Sequence, residues 1–125
     1  MPLVLCAQLS LTIEIDGLRK NSGQILFELK NEKEELIAGI IKNIDNNKCT
    51  IVIENLKPGN YSFKFFHDEN KNKKLDVNWL GIPKEGFCFS NNPSINFGPP
   101  SFGQTLFELN RSKVIKCKPE YLLKL

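Results

Sequence analysis

A chain of 125 residues with a formal net charge of +3 has the length of one domain, enough for a single two-layer core and too short for two. Hydrophobic residues make up 41% and charged residues 25%, which excludes both a disordered chain and one embedded in lipid. The positive excess is small and dispersed, and Arg19 and Arg111 are the only arginines, so neither a nucleic-acid footprint nor bidentate phosphate readout is expected.

Met1 to Ala7 is apolar but lacks a basic n-region, and its core is short for an export signal. It reads either as the lead-in to a first strand or as the remnant of an export signal cut after Ala7, with 8–125 as a single domain. Leu9, Leu11, Ile13 and Ile15 then alternate with polar residues, the period of a half-buried strand. Gly17 ends it, and Ile25, Phe27 and Leu29 alternate again. Leu36 to Ile44 is an isoleucine-rich run read as a third strand, and Asp45-Asn46-Asn47 as a turn. Cys49, Ile51 and Ile53 form one face of a fourth strand. Leu56-Lys57-Pro58-Gly59 suits a type II turn and opens a fifth strand with Tyr61, Phe63, Phe65 and His67 on one face, the tyrosine hydroxyl seeking a backbone partner. Gln104 to Asn110 and Lys113 to Pro119 read as two further strands. With about seven short strands and no long 3.6-residue period, the expected fold is an all-β, antiparallel sandwich of immunoglobulin-like or prealbumin-like type. Nothing in the pattern suggests a membrane-spanning segment.

The stretch 68–103 breaks this rhythm. Structureless loops above about 12–15 residues are uncommon in a compact domain, yet this one holds Trp79, Phe87, Phe89, Phe97 and Phe102 among fixed bends at glycine and proline. That is the composition of one long ordered loop. Trp79, Glu85, Phe87 and Phe89 are its candidate ligand surface, for a cell-surface glycan or a protein. The aromatics could equally anchor the loop to its own sandwich. Asp68, Asn70, Asn72, Lys74 and Asp76 have the alternate spacing of a calcium loop, with side-chain oxygens at the first, third, fifth and ninth places and a backbone carbonyl at the seventh. Lys73 stands where such a loop bends at glycine, and three lysines offset its acids, so a self-capping Asx turn is the competing expectation. His67-Asp68-Glu69 supplies a base and carboxylates, and Glu69 with Glu85 a glycosidase-like carboxylate pair, but no motif fixes a nucleophile beside them. Cys49, Cys88 and Cys117 lack metal-ligand spacing. Cys49 and Cys117 could face each other across a sandwich as a disulfide, or all could be buried as small hydrophobes.

His67-Asp68-Glu69-Asn70-Lys71-Asn72-Lys73-Lys74-Leu75-Asp76, then Gly81-Ile82-Pro83-Lys84-Glu85-Gly86-Phe87-Cys88-Phe89-Ser90-Asn91-Asn92, then Gly98-Pro99-Pro100-Ser101-Phe102, resemble the hallmarks of the bacterial family called domain of unknown function 2141. With the upstream turn and strands, the resemblance covers about residues 8–125. It implies an exported, periplasmic or extracellular β-sandwich and no particular activity. Lys73 and Cys88 stand where that family usually has glycine. Three functions follow as expectations: a non-enzymatic binding or accessory module with a degenerate calcium-type loop, a hydrolase or sugar-processing enzyme using the loop carboxylates, and a structural domain without ligand.

Overall fold

In the computed structural model, residues 8–71, 85–93 and 100–122 are described. They form strands β1 (Leu9–Ile15), β2 (Gln24–Asn31), β3 (Leu36–Asn43), β4 (Cys49–Leu56), β5 (Gly59–Asp68) and β6 (Phe87–Phe89). A helical turn α1 (Phe102–Thr105) and strands β7 (Phe107–Leu109) and β8 (Lys113–Cys117) follow. One sheet runs β4-β1-β8; the other runs β3-β2-β5-β6, with β7 also on β5. All pairs are antiparallel except β1–β8, which is parallel, Leu11 opposite Lys113 and Ile15 opposite Cys117. Among the described residues the sheets do not close into a barrel, and no helix is long and apolar enough to cross a membrane.

Both sheets feed one core. Leu11, Ile13 and Ile15 of β1 and Ile51 and Ile53 of β4 meet Ile25, Phe27 and Leu29 of β2 and Tyr61, Phe63 and Phe65 of β5. The period-two alternation thus carries through to burial, since successive side chains of a strand point to opposite faces. Among the described residues Phe63 is the largest fully buried side chain, stacked on Phe27 at 5.5 Å and met edge-on by Phe107 at 5.8 Å. The Tyr61 hydroxyl donates to the Lys57 carbonyl at 2.6 Å.

The expected turns divide. Asn46 and Asn47 both take positive φ, 53° and 60°, and two Asp45–Lys48 backbone hydrogen bonds of 3.0 Å close the turn; asparagine tolerates this left-handed pair. Gly59 does not take positive φ, so the turn before β5 is not type II; the left-handed residue there is Asn55, with φ 62°. The segment 104–110 is not one strand. Ser101 and Gln104 form a capping box that starts α1, and only Phe107–Leu109 is extended. Conversely, β6 is a strand inside the stretch 68–103.

A Cys49–Cys117 disulfide is ruled out by topology. The two cysteines flank Ile15 from opposite sides, in β4 and β8 of the same sheet. They are therefore two strand spacings apart, about 9.5 Å, beyond the roughly 7 Å that a disulfide can span between Cα atoms. Cys49, Cys88 and Cys117 are all free thiols.

Candidate functional site

Two features stand out along β5: a buried polar neck at its end, and a groove beside Ser62–Lys64 on the outer face of the five-stranded sheet.

The neck begins with strand phase. His67 continues the inward series Tyr61, Phe63, Phe65 and is fully buried, as is Asp68 beside it. Its Nε2 lies 2.7 Å from the Ser22 carbonyl, which can only accept, so in the neutral ring Nε2 carries the proton. Nδ1 then accepts from the Tyr121 hydroxyl at 2.9 Å, and the same hydroxyl accepts the Arg19 backbone N–H at 3.1 Å. Arg19 lays its guanidinium 4.5 Å from the centre of the Tyr121 ring and forks onto Glu69, Nε to Oε1 and Nη2 to Oε2 at 3.0 Å, the bidentate geometry that favours arginine. Burial pushes the Glu69 carboxyl up, but the Arg19 hydrogen bond and charge outweigh it and hold the group below its usual range.

Glu85 closes the neck. Its Oε2 accepts the Glu69 backbone N–H at 2.7 Å, and the next carbonyl, Gly86, accepts the His67 backbone N–H at 2.7 Å. Two glycines are required here. A Cβ on Gly86 would lie 2.5 Å from the Tyr121 ring, and one on Gly23, whose φ is +88°, would lie 2.3 Å from the Asp68 carbonyl oxygen. Both ends of the segment between Glu69 and Glu85 are therefore pinned, and no buried side-chain polar atom among the described residues lacks a partner.

The groove has a volume of about 230 Å³. Its floor is the outward phase of β2 and β5, where Glu28 pairs across strands with Lys64. Glu28 lies 3.3 Å from the Lys64 ammonium and 3.7 Å from that of Lys30. Phe89 and Phe102 line it with apolar surface. The wall is held by hydroxyls: Ser62 and Thr105 share a 2.6 Å hydrogen bond, and Ser90 Oγ donates to the Thr105 carbonyl while accepting the Phe63 N–H. Charged pairs, two aromatic rings and a rigid wall suit a polar ligand with an apolar face.

Of the calcium set, Asp68 is buried at the end of β5 and Asn70 is exposed; Asn72, Lys74 and Asp76 lie outside the described residues. Those described contain no group of three or more His, Cys, Asp or Glu that could hold a metal. Of the ligand-surface set, Trp79 lies outside the described residues, Glu85 and Phe87 are buried, and Phe89 lines the groove, meeting Phe87 edge-on at 6.1 Å. Asp68, Glu69 and Glu85 thus gather at the neck, and Phe89 joins Phe102 elsewhere. The sequence pattern did not single out Arg19 and Tyr121, which reach the neck only through tertiary structure, or Glu28, Lys30 and Lys64, whose one signal is their place on the polar phase of strands β2 and β5.

Among the described residues these features define a two-sheet β protein with a buried polar neck at one end of β5 and a groove on its outer sheet face. The family profile described as "Uncharacterized protein conserved in bacteria (DUF2141)" matches residues 13–116, and the chain belongs to this family. Neither a curated protein nor a solved structure matches it.

Proposed function

We propose that the protein is an exported, non-enzymatic binding module, an immunoglobulin-like or prealbumin-like sandwich that takes a saccharide unit of a cell-surface glycan into the groove between Phe89 and Phe102. The observation that carries this is the groove itself: aromatic surface for the apolar face of a sugar ring, with Glu28, Lys30 and Lys64 as hydrogen-bonding groups for its hydroxyls. At about 230 Å³ it falls below the roughly 300–1,000 Å³ of drug-sized sites, which favours one residue of a longer chain over a free cofactor. Binding is preferred to hydrolysis because the neck carboxylates are engaged or enclosed: Glu69 holds Arg19, Glu85 holds a backbone N–H, and Asp68 is fully buried. A general acid or base must instead be free to reach its substrate's proton.

The test is chemical-shift mapping with soluble oligosaccharides from bacterial envelopes. Binding should perturb the Phe89, Phe102 and Lys64 signals, and Phe102→Ala should weaken it at least tenfold. Perturbation confined to other surfaces, or none with any glycan, overturns the proposal. Fractionation of cells producing the full chain tests export, and a purely cytoplasmic pool refutes that part.

A further inference from the structure

Among the described residues β3, β4 and β8 each border a sheet with no strand on their outer side. Such an edge presents unpaired backbone N–H and C=O groups, which proteins commonly guard with lysine, proline or a covering segment. The β8 edge carries Lys113 and Lys116. On β4 the Lys42 ammonium donates to the Thr50 carbonyl. Most of β3 has no such guard, since Leu36 to Ile41 holds neither a charge nor a proline. Ala38 and Ile40 pack against the core, but Leu36, Ile37 and Ile41 are 62%, 43% and 50% exposed. The pairing with β2 explains part of this. Leu29 lies opposite Ala38 and Lys30 opposite Leu36, so Ile37 is an extra residue with no opposite number on β2, as in a bulge. The two ends of β3 differ in charge. Glu32, Lys33, Glu34 and Glu35 precede it and Lys42 closes it, all of them exposed. None of these five has an ion-pair partner among the described residues.

We propose that β3 is a dimerisation edge: two copies of this chain pair their β3 strands antiparallel about a twofold axis at Gly39, which joins their five-stranded sheets. The edge alone carries this, whether or not the groove binds a glycan. Centring the pair on Gly39 sets Ile37 opposite Ile41 of the second copy and Ala38 opposite Ile40. Directly opposed β-branched side chains stabilise a strand pair. The backbone at Gly39 is open to approach, for a Cβ built there meets nothing within 4 Å. The antiparallel direction also places the net acidic turn of each copy beside Lys42 of the other, whereas parallel strands would set like charges together. Because both copies use the same edge, the assembly closes at two. Six residues on each side bury less than the roughly 1,200–2,000 Å² of a standard interface, so the dimer is weak and forms as concentration rises.

The test is sedimentation velocity on the full chain from micromolar to millimolar concentration. A monomer–dimer equilibrium is expected, weakened at least tenfold by Ile41→Lys, which puts a charge opposite Ile37 of the second copy. In a mixture of isotope-labelled and unlabelled copies, filtered nuclear Overhauser contacts should join Ile37 of one to Ile41 of the other, positions about 13 Å apart within a single strand. A chain that stays monomeric throughout, a dimer that Ile41→Lys leaves unchanged, species larger than a dimer, or filtered contacts that place another surface at the interface each overturn the proposal. The melting temperature of dilute Ile41→Lys checks its fold. Should it fall by more than a few degrees, Leu36→Lys, at the most exposed of the three positions, takes its place with the same expected loss.

Discussion

Tyr121→Phe removes one oxygen and keeps the ring. That oxygen donates to His67 Nδ1 at 2.9 Å and accepts the Arg19 N–H at 3.1 Å. His67 is fully buried, so its Nδ1 loses its partner with no water to replace it, a penalty of about 1–3 kcal/mol. Arg19 is only half-buried, and water should recover most of its bond, leaving about 0.5 kcal/mol. The ring contacts, edge-on to His67 at 6.2 Å and beneath Arg19 at 4.5 Å, survive the change. The expected loss is therefore about 2–3 kcal/mol, a large share of the roughly 5–15 kcal/mol by which a domain is stable. Urea unfolding followed by circular dichroism measures it, with an unchanged m-value showing that the denatured state is unaltered. Nitrogen-15 shifts of the parent protein should show His67 as the Nε2–H tautomer. A loss below about 1 kcal/mol, or the other tautomer, refutes the proton assignment on which the neck is built.

Phe63→Ala should cost about 3–5 kcal/mol by urea unfolding, as for other large core truncations, and Phe66→Ala, half-buried on the outer face, distinctly less; equal costs would contradict the phase of β5. Gly86→Ala should sharply lower the melting temperature because its Cβ meets the Tyr121 ring, whereas Gly39→Ala, with nothing within 4 Å, should be neutral or stabilising by about 0.5 kcal/mol. Glu69 has a lowered pKa in the folded state, so its contribution is fully present above the unfolded carboxylate range of about 4–5 and is lost as pH falls through the folded value. Urea midpoints measured from neutral pH down to about pH 3 should fall less steeply in Arg19→Met than in the parent, and an identical slope would mean that Arg19 does not set the Glu69 pKa.

Much of the fold is local, and to that extent it was legible. Alternation fixed which faces of β1, β2, β4 and β5 are buried, because the two-residue period is a property of each strand alone. The Asn46-Asn47 turn and the Tyr61 hydroxyl bond also depend on near neighbours. What escaped depends on distant ones. Arg19 and Tyr121 meet about a hundred positions apart in the chain, their hydrogen bond spanning |i−j| = 102. The antiparallel β1–β4 pair places Cys49 and the parallel β1–β8 pair places Cys117, and no spacing of cysteines along the chain reveals that a strand lies between them. The turn α1 escaped for a different reason: four residues are too few to display a helical period, and only the Ser101–Gln104 box marks it. For the candidate site, the motif at 67–69 and 85–87 contains the residues that meet at the neck, where Glu69 holds Arg19 and Glu85 holds a backbone N–H.

That commitment locates where function can be sought. A side chain whose every polar atom is satisfied inside the fold cannot be exchanged for a ligand without first being replaced, and His67, Glu69 and Glu85 are in that position. Glu28, Lys30 and Lys64 are in the opposite one. Their pairings are at the surface, where such bridges contribute about 0–1 kcal/mol, so the fold does not depend on them. Lys64→Ala should therefore leave the melting temperature within a few degrees of the parent, while weakening any ligand that sits between Phe89 and Phe102. Stability and binding thus separate cleanly on the outer sheet face, and a variant series at Glu28, Lys30 and Lys64 can assign a loss of binding to lost contacts, which no series at the neck could do.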